Sequence, residues 1–150
     1  MAIWFDDGFP VSAVNERSRS TLMQQLGIEF TEAGDDYIAA KMPVDERTRQ
    51  PFGVLHGGAS VALAETLASW GATFVVDRSQ YYCAGLEINA NHVRAASSGW
   101  VVGTARPVHL GRSTQIWEVR IVDEEGRLVC ISRVTMAVLS QQKERAHGPR

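Results

Sequence analysis

The chain has 150 residues, of which 45% are hydrophobic and 21% charged, and its formal net charge is −2. This length suits a single domain that buries about two-thirds of the surface of the unfolded chain. The charge balance lacks the basic excess typical of nucleic-acid binding and a lysine-rich face for a membrane surface. No apolar run approaches the roughly eighteen residues of a membrane span.

The N-terminal segment, residues 1–27, predicts a short helix in one or two pieces. Its start, "MAIWFDDGFPVSA", lacks a basic region and a continuous apolar stretch, so it makes a poor signal peptide. In "SAVNERSRSTLMQQLG", Ser12 is a candidate N-cap and Gly27 ends the helix. The apolar face of this helix comprises Leu22, Met23 and Leu26.

The next stretch predicts two strands, a loop and the main helix. "IEFTEAGDDYIAAKMPV" contains two strands around a turn at Gly34, and Pro43 ends the second strand. "DERTRQPFG" is a polar loop, and the long apolar run from about Gly57 to Val76 is the main helix.

Strand periodicity dominates the remainder of the chain. It covers "CAGLEINANHVRAA", "GWVVGTARPVHLG" and "STQIWEVRIVDEEGRLVCISRVTMAVL", with a hairpin turn at "DEEGR". One side of the middle strand carries Trp117, Val119 and Ile121. Cys83 and Cys130 belong to no CxxC pattern and are expected to be reduced and half-buried, as in a cytoplasmic protein. The charged residues 141–150 are predicted to fray.

The order of elements is a strand pair, one long helix, and three or four consecutive antiparallel strands. The helix is apolar nearly all round, so it must be wrapped rather than lie on a surface. A curved antiparallel sheet can wrap it with few strands. The sequence therefore predicts an α+β hotdog fold, with the sheet around one central helix, as a single domain over 1–150. Because a single sheet leaves open edges, pairing between subunits is expected.

A single carboxylate, Glu65, interrupts the apolar helix. An ionised carboxylate in an apolar setting costs several kcal/mol unless it is paired, or it becomes protonated with a raised pKa. One interpretation is that Glu65 lies on a partly wetted stripe. The other is catalytic: Ser69 shares its face, and the helix begins at Gly57 and Gly58, where unpaired N–H groups can bind a developing oxyanion.

Gly57 and Glu65 are too far apart on one helix to act on the same carbonyl. Eight residues span about 12 Å of helix axis, and the glutamate side chain recovers only a few ångströms of that distance. If both act on one substrate, the glutamate comes from a second subunit, so the sequence predicts a dimer with shared sites. His56, just before the glycines, is either a capping or core histidine or a catalytic one.

Three stretches closely resemble one family. They are "QPFGVLHGGASVALAETLAS", "GLEINANHVR" and "HLGRSTQIWEV", and they resemble the hotdog-fold acyl-CoA thioesterases of the PaaI-like, Arthrobacter-type 4-hydroxybenzoyl-CoA branch. The nearest likeness is to the thioesterases of menaquinone and enterobactin biosynthesis, and it runs from about Ile28 to Leu139. It implies hydrolysis of an acyl-CoA, with an aromatic acyl group, by a homodimer that pairs into a dimer of dimers. An aryl-loaded carrier protein is the alternative substrate.

The resemblance also implies roles for individual residues. Glu65 matches the catalytic carboxylate, a nucleophile or general base, and Gly57 matches the glycine whose N–H polarises the thioester carbonyl across the dimer interface. Gln50 and His56 match residues that orient substrate or water and hold the loop, and Ser69 matches a polar neighbour of the carboxylate. The residues that match CoA-holding segments are Gly85, His92, Val93, Arg94, Ala95, His109, Leu110, Gly111, Arg112, Ser113 and Thr114. Arg94 and Arg112 suit the phosphates of CoA.

Other interpretations remain open at the level of sequence. A hydroxyacyl dehydratase on the same fold would place a histidine opposite the acid, and a non-catalytic acyl-CoA binding protein would lack a usable acid. His92 and His109 also suit exposed strand ends. With His56 they lack zinc-ligand spacing, so no metal is expected, and "HGGAS" lacks the Lys-Ser/Thr ending of a phosphate loop. The implied thioester hydrolysis needs no cofactor, so none is expected. Trp70 is bulkier than the residue that close relatives often carry, which leaves acyl selectivity open.

Overall fold

One antiparallel sheet and one long helix make up most of the structure, a computed structural model that describes residues 1–141. The elements are α1 (Val11–Arg17), α2 (Leu22–Leu26), β1 (Glu29–Ala33), β2 (Ile38–Pro43), α3 (Gly57–Val75), β3 (Tyr81–His92), β4 (Trp100–Leu110), β5 (Thr114–Val122) and β6 (Leu128–Ser140). The helix α3 packs against strands β2 to β6. The predicted α+β hotdog architecture is therefore confirmed. The fraying was predicted for residues 141–150, and residues 142–150 lie outside the described part of the chain.

The sheet order differs in one respect from the predicted run of consecutive strands. Its order is β1-β2-β4-β5-β6-β3, so β4, β5 and β6 are consecutive neighbours, whereas β3 pairs with β6 at the far edge. The chain leaves β2, passes through α3 and enters the sheet at its opposite side. Within residues 1–141, β3 is thus an edge strand with one unpaired side.

The N-terminal segment forms two helices, and two details of its prediction are wrong. Ser12 lies inside α1 rather than capping it, because the Pro10 carbonyl accepts the first helical hydrogen bond, from Val14 N at 3.0 Å. Leu22 is 63% exposed, because the five-residue α2 buries only one side, on which Met23 lies. Gly27 ends α2 in the left-handed region with φ of 71°, as predicted.

The core lies between α3 and the inner face of the sheet. Trp117, Val119 and Ile121 are fully buried on that face, as predicted. A Cβ on Gly71 of α3 would lie 2.9 Å from the Trp117 ring, so the absence of a side chain lets the helix approach β5 closely. The buried residues of α3 are Ala59, Ser60, Leu63, Ala64, Leu67, Ala68, Gly71, Ala72 and Phe74.

The opposite side of α3 is only half-buried, so a single chain does not wrap the helix completely. This stripe includes Glu65, Ser69 and Trp70. Elsewhere, Cys83 is half-buried as predicted and Cys130 is fully buried, and both thiols are free. No helix in residues 1–141 combines the length and hydropathy that a membrane crossing requires.

Candidate active site

The N-terminus of α3 presents a backbone donor. His56 is the N-cap: its Nδ1 accepts a hydrogen bond from Gly58 N at 2.7 Å, and its carbonyl accepts from Ala59 N at 2.9 Å and Ser60 N at 3.2 Å. The side chain and carbonyl of His56 therefore satisfy three of the N–H groups of the first turn. Gly57 N–H has no acceptor within residues 1–141. The capping interpretation of His56 matches this geometry.

Gly57 lies in a cleft of about 440 Å³ together with the end of β3. The residues that line this Gly57 cleft are Val54, Leu55, Gly57, Ser60, His92, Val93, Arg94, Ala95 and Val129. The His92 ring lies over Gly57, since a Cβ there would be 3.0 Å from His92 Nε2. The structure thus brings one predicted CoA-binding segment, residues 92–95, next to Gly57 in the same chain.

Gln50 organises the loop that leads into this helix. Its side-chain Oε1 accepts a hydrogen bond from Phe52 N, its backbone N donates to Val54 O at 2.9 Å, and its carbonyl accepts from Gly53 N at 2.9 Å. Gly53 has φ of 84°, a conformation that favours glycine. Through these hydrogen bonds Gln50 holds the loop before α3 in its turn. Its implied role in orienting substrate or water stays a prediction. Phe52 is 91% exposed and is not among the residues that line the Gly57 cleft.

Glu65 lies in a second, separate cleft of about 320 Å³. The residues that line this Glu65 cleft are Met23, Glu65, Thr66, Ser69, Trp70 and Thr73. Burial raises the pKa of Glu65 above its usual value, because the apolar surroundings disfavour the charged carboxylate. Ser69 lines the same cleft as the Glu65 carboxylate, four residues further along the helix. Sequence reasoning missed Met23 as a cleft residue, since its burial looked like ordinary core packing.

Gly85, which the resemblance assigns to CoA binding, lies against the side chain of Glu65. It lies on β3 opposite Met136, and a bulge between Gly85 and Glu87 leaves Leu86 64% exposed. A Cβ on Gly85 would overlap with Glu65 Oε1. The missing side chain makes room for the carboxylate against the strand. A glycine inside a strand pattern is the sequence signal for such a close approach.

The second predicted CoA-binding segment lies at the Glu65 end of the sheet. Leu110 pairs with Gln115, Gln115 with Met136, and Met136 with Gly85, so the turn after β4 lies in the same row as Gly85. The residues of this segment are His109, Leu110, Gly111, Arg112, Ser113 and Thr114. The turn closes through Gly111 N, which donates to Thr114 O at 2.9 Å. His109 and Arg112 are exposed, as are His92 and Arg94.

One chain therefore carries two candidate half-sites at different points along β3. Gly57 contacts His92, whereas Glu65 contacts Gly85. These two strand positions are seven residues apart in sequence, which corresponds to about 23 Å along an extended strand. Neither half-site holds both the acid and the free N–H donor. Among residues 1–141, no group of three or more His, Cys, Asp or Glu side chains could hold a metal ion.

A curved antiparallel sheet packed around one long helix defines a hotdog-fold protein. The chain belongs to the thioesterase superfamily, whose family model matches residues 52–130. The family relationship and the named relatives make it a thioester hydrolase. The relatives described next are named as thioesterases or as a CoA-thioester hydrolase, so they do not support the dehydratase or the non-catalytic alternative.

Three relatives illustrate the similarity. A proofreading thioesterase of Cronobacter turicensis is 53% identical over 129 residues, which cover 86% of this chain and 93% of the relative. A 1,4-dihydroxy-2-naphthoyl-CoA hydrolase of Escherichia coli is 49% identical over 129 residues, which cover 86% of this chain and 94% of the relative. A crystal structure of a mutant thioesterase from Pseudomonas aeruginosa has a TM-score of 0.91 at 46% identity and covers 93% of this chain and 99% of that one.

Proposed function

We propose that the protein hydrolyses an aromatic acyl-CoA thioester at sites that two copies of the chain build together. The observation that carries the proposal is the separation of the two half-sites. Glu65 lies in one cleft, and the Gly57 N–H, which has no acceptor among the described residues, lies in another. About 12 Å of helix axis separates them within a chain. Two chains that exchange these halves place an acid beside an oxyanion donor.

The open edge of β3 supplies a route to this arrangement. Two identical edge strands related by a two-fold axis pair antiparallel. Antiparallel pairing sets the His92 end of one β3 beside the Gly85 end of the other. Since Gly57 packs on His92 and Glu65 on Gly85, the Gly57 cleft of one chain then approaches the Glu65 cleft of its partner. The exposed side chains Tyr81 and Tyr82 on β3 favour such an interface.

In this shared site each group has a chemical role. Gly57 N–H, at the positive end of the α3 dipole, binds the thioester oxygen as negative charge develops on it. Glu65 either attacks the carbonyl carbon, forming a mixed anhydride that water then hydrolyses, or removes a proton from an attacking water. In both routes the acyl C–S bond breaks, oxygen from water enters the acid, and CoA leaves as a thiol. Ser69, beside the carboxylate, is placed to hold the water.

The CoA part has candidate partners at both half-sites. Arg94 lines the Gly57 cleft, and Arg112 lies in the turn near Gly85, so each offers a guanidinium to a phosphate. The naphthoyl-CoA hydrolase relative supports an aromatic acyl-CoA, and the proofreading relative makes an aryl-loaded carrier protein the second candidate. A dimer of dimers is part of the proposal and rests on the family resemblance.

Free-thiol release tests the proposal directly. We expect the protein to hydrolyse aryl-CoA thioesters, and Glu65→Ala and Glu65→Gln to lose about a thousandfold in kcat with KM little changed, because the carboxylate acts in the chemical step. The substrate panel contains aryl-CoA, aliphatic acyl-CoA and aryl-carrier thioesters. Full activity in both variants would show that Glu65 is only a half-solvated helix residue.

A further inference from the structure

The Glu65 cleft has one wall that does not come from α3. Glu65, Thr66, Ser69, Trp70 and Thr73 form a stripe along the helix, and Met23 from α2 faces them. Met23 is 9% exposed, so its side chain is held rather than free to swing. It lies outside residues 52–130, the part of the chain that the family model matches.

The stripe changes from polar to apolar along the helix. Glu65 and Thr73 are eight residues apart, so the cleft runs about 12 Å from the carboxylate. The hydroxyl of Thr66 donates to Ala62 O at 2.7 Å, and that of Thr73 donates to Ser69 O at 2.8 Å. With these hydroxyls engaged by the helix backbone, the apolar lining of the cleft consists of the threonine methyl groups, the Trp70 ring and Met23.

Contacts with the N-terminal segment hold this apolar end in place. The Trp70 ring stacks on Phe74 with centroids 5.9 Å apart and an interplanar angle of 27°, and the Arg17 guanidinium lies 5.6 Å from the Trp70 ring. Ser18 Oγ lies 3.0 Å from Met23 Sδ. Trp70 is thus held between Phe74 of α3 and Arg17 of α1, and Met23 contacts Ser18 at the C-terminal end of α1.

We propose that α2 closes the acyl cleft, and that Met23, facing Trp70, limits the length of the acyl group. This inference rests on the proposed function. With the thioester carbon at Glu65, an acyl group that extends along the stripe meets Met23 and Trp70 at its end. A flat aromatic acyl group fits before this wall, whereas a linear chain of ten carbons runs into it.

Truncation of Met23 tests the inference. We expect Met23→Ala to raise the ratio of kcat/KM for decanoyl-CoA to that for benzoyl-CoA by about tenfold or more, because the cleft lengthens where Cγ, Sδ and Cε are removed. A tenfold change is about 1.4 kcal/mol, which is close to the burial of two further methylene groups. Leu22→Ala is the matched control, since Leu22 is the exposed neighbour on the same helix.

The substrate ratio separates selectivity from folding. A purely structural role for Met23 would lower kcat/KM for both substrates together and leave their ratio at the parental value, which would overturn the inference. If Met23→Ala does not fold, Met23→Val removes less volume and should shift the ratio in the same direction. A parent protein that hydrolyses neither thioester would refute the proposed function instead.

Discussion

Burial of Glu65 disfavours the ionised carboxylate, which is the form that the proposed chemistry requires. The pKa of the carboxyl is raised by desolvation, so folding favours its neutral form. A group whose pKa is raised on folding contributes stability below the unfolded value of 4.5 and loses it as the pH rises through the folded value. At neutral pH the ionised side chain therefore destabilises the fold.

Glu65→Gln is accordingly expected to be more stable than the parent at pH 7, even though the proposed function predicts that it loses activity. The gain arises because the amide carries no charge to desolvate, so it should shrink as the pH falls toward 4.5. Thermal unfolding at a series of pH values measures this difference. A variant that is less stable than the parent at pH 7 would mean that the ionised carboxylate gains more from its surroundings than burial costs.

The Gly57 N–H can be removed without disturbing the helix. Gly57 is the first residue of α3, and His56 before it has φ of −68° and ψ of 130°, a conformation that a following proline permits. Gly57→Pro should lower kcat by about 10²- to 10³-fold, as for loss of one oxyanion donor. The measurement is thiol release at saturating substrate.

Gly57→Ala is the control for this variant. It keeps the N–H and adds a Cβ, which would lie 3.0 Å from the His92 ring, a side chain with room to turn. We expect Gly57→Ala to retain a kcat close to that of the parent. Equal losses in the proline and alanine variants would assign the effect to space at Gly57 and not to the N–H donor.

At the scale of elements, β3 and α3 position the acid between them. The bulge at Gly85 brings backbone without a side chain against Glu65. Gly85→Ala should displace the carboxylate and lower kcat by at least tenfold, because a Cβ occupies the space of Glu65 Oε1. Steady-state kinetics with an aryl-CoA measures the loss.

Gly103→Ala is a matched control for this strand glycine. Gly103 faces α3 from β4, where a Cβ would lie 2.7 Å from Leu67 Cδ1 and would have no contact with Glu65 among its three nearest atoms. We expect this variant to lose stability in urea unfolding and to keep its kcat. If Gly103→Ala lowers kcat as much as Gly85→Ala does, both variants act by disturbing the packing of α3 against the sheet and not by displacing the carboxylate.

The elements were largely predictable because each has a strong local signal. The apolar run gives α3 to within one residue, and the alternation at Trp117, Val119 and Ile121 gives the inner face of β5. The position of β3 was not predictable, since strand order depends on where the chain re-enters the sheet after α3. Ser12 was a plausible cap by residue type, yet Pro10 begins the helix because its carbonyl is already placed for Val14 N.

The site was predictable in its parts rather than in its assembly. Glu65 and Gly57 stood out as a charged residue and a glycine in an apolar helix. The helical rise alone showed that they are too far apart to act on the same carbonyl within one chain. Met23 could not be recognised, because a methionine on a short amphipathic helix has the pattern of core packing. The contact of Gly85 with Glu65 depends on a bulge in β3, which the local pattern does not specify. The catalytic and CoA-binding roles stay predictions.

At the scale of the molecule, the central claim is that the acid and the oxyanion donor of each site come from different chains. Glu65→Ala removes the acid from one half-site, and Gly57→Pro removes the donor from the other. A heterodimer of these two variants would contain one site with both defects and one site with none. Homodimers of either variant contain only defective sites.

The most direct measurement is the activity of the two variants after co-refolding in equal amounts. Random pairing makes about half of the dimers mixed, each with one intact site, so thiol release should recover to about a quarter of the parental rate per chain. Each variant refolded alone is the control and should stay inactive. Recovery to that level would establish shared sites, and no recovery from a mixture that size-exclusion chromatography shows to be dimeric or tetrameric would place the whole site within one chain.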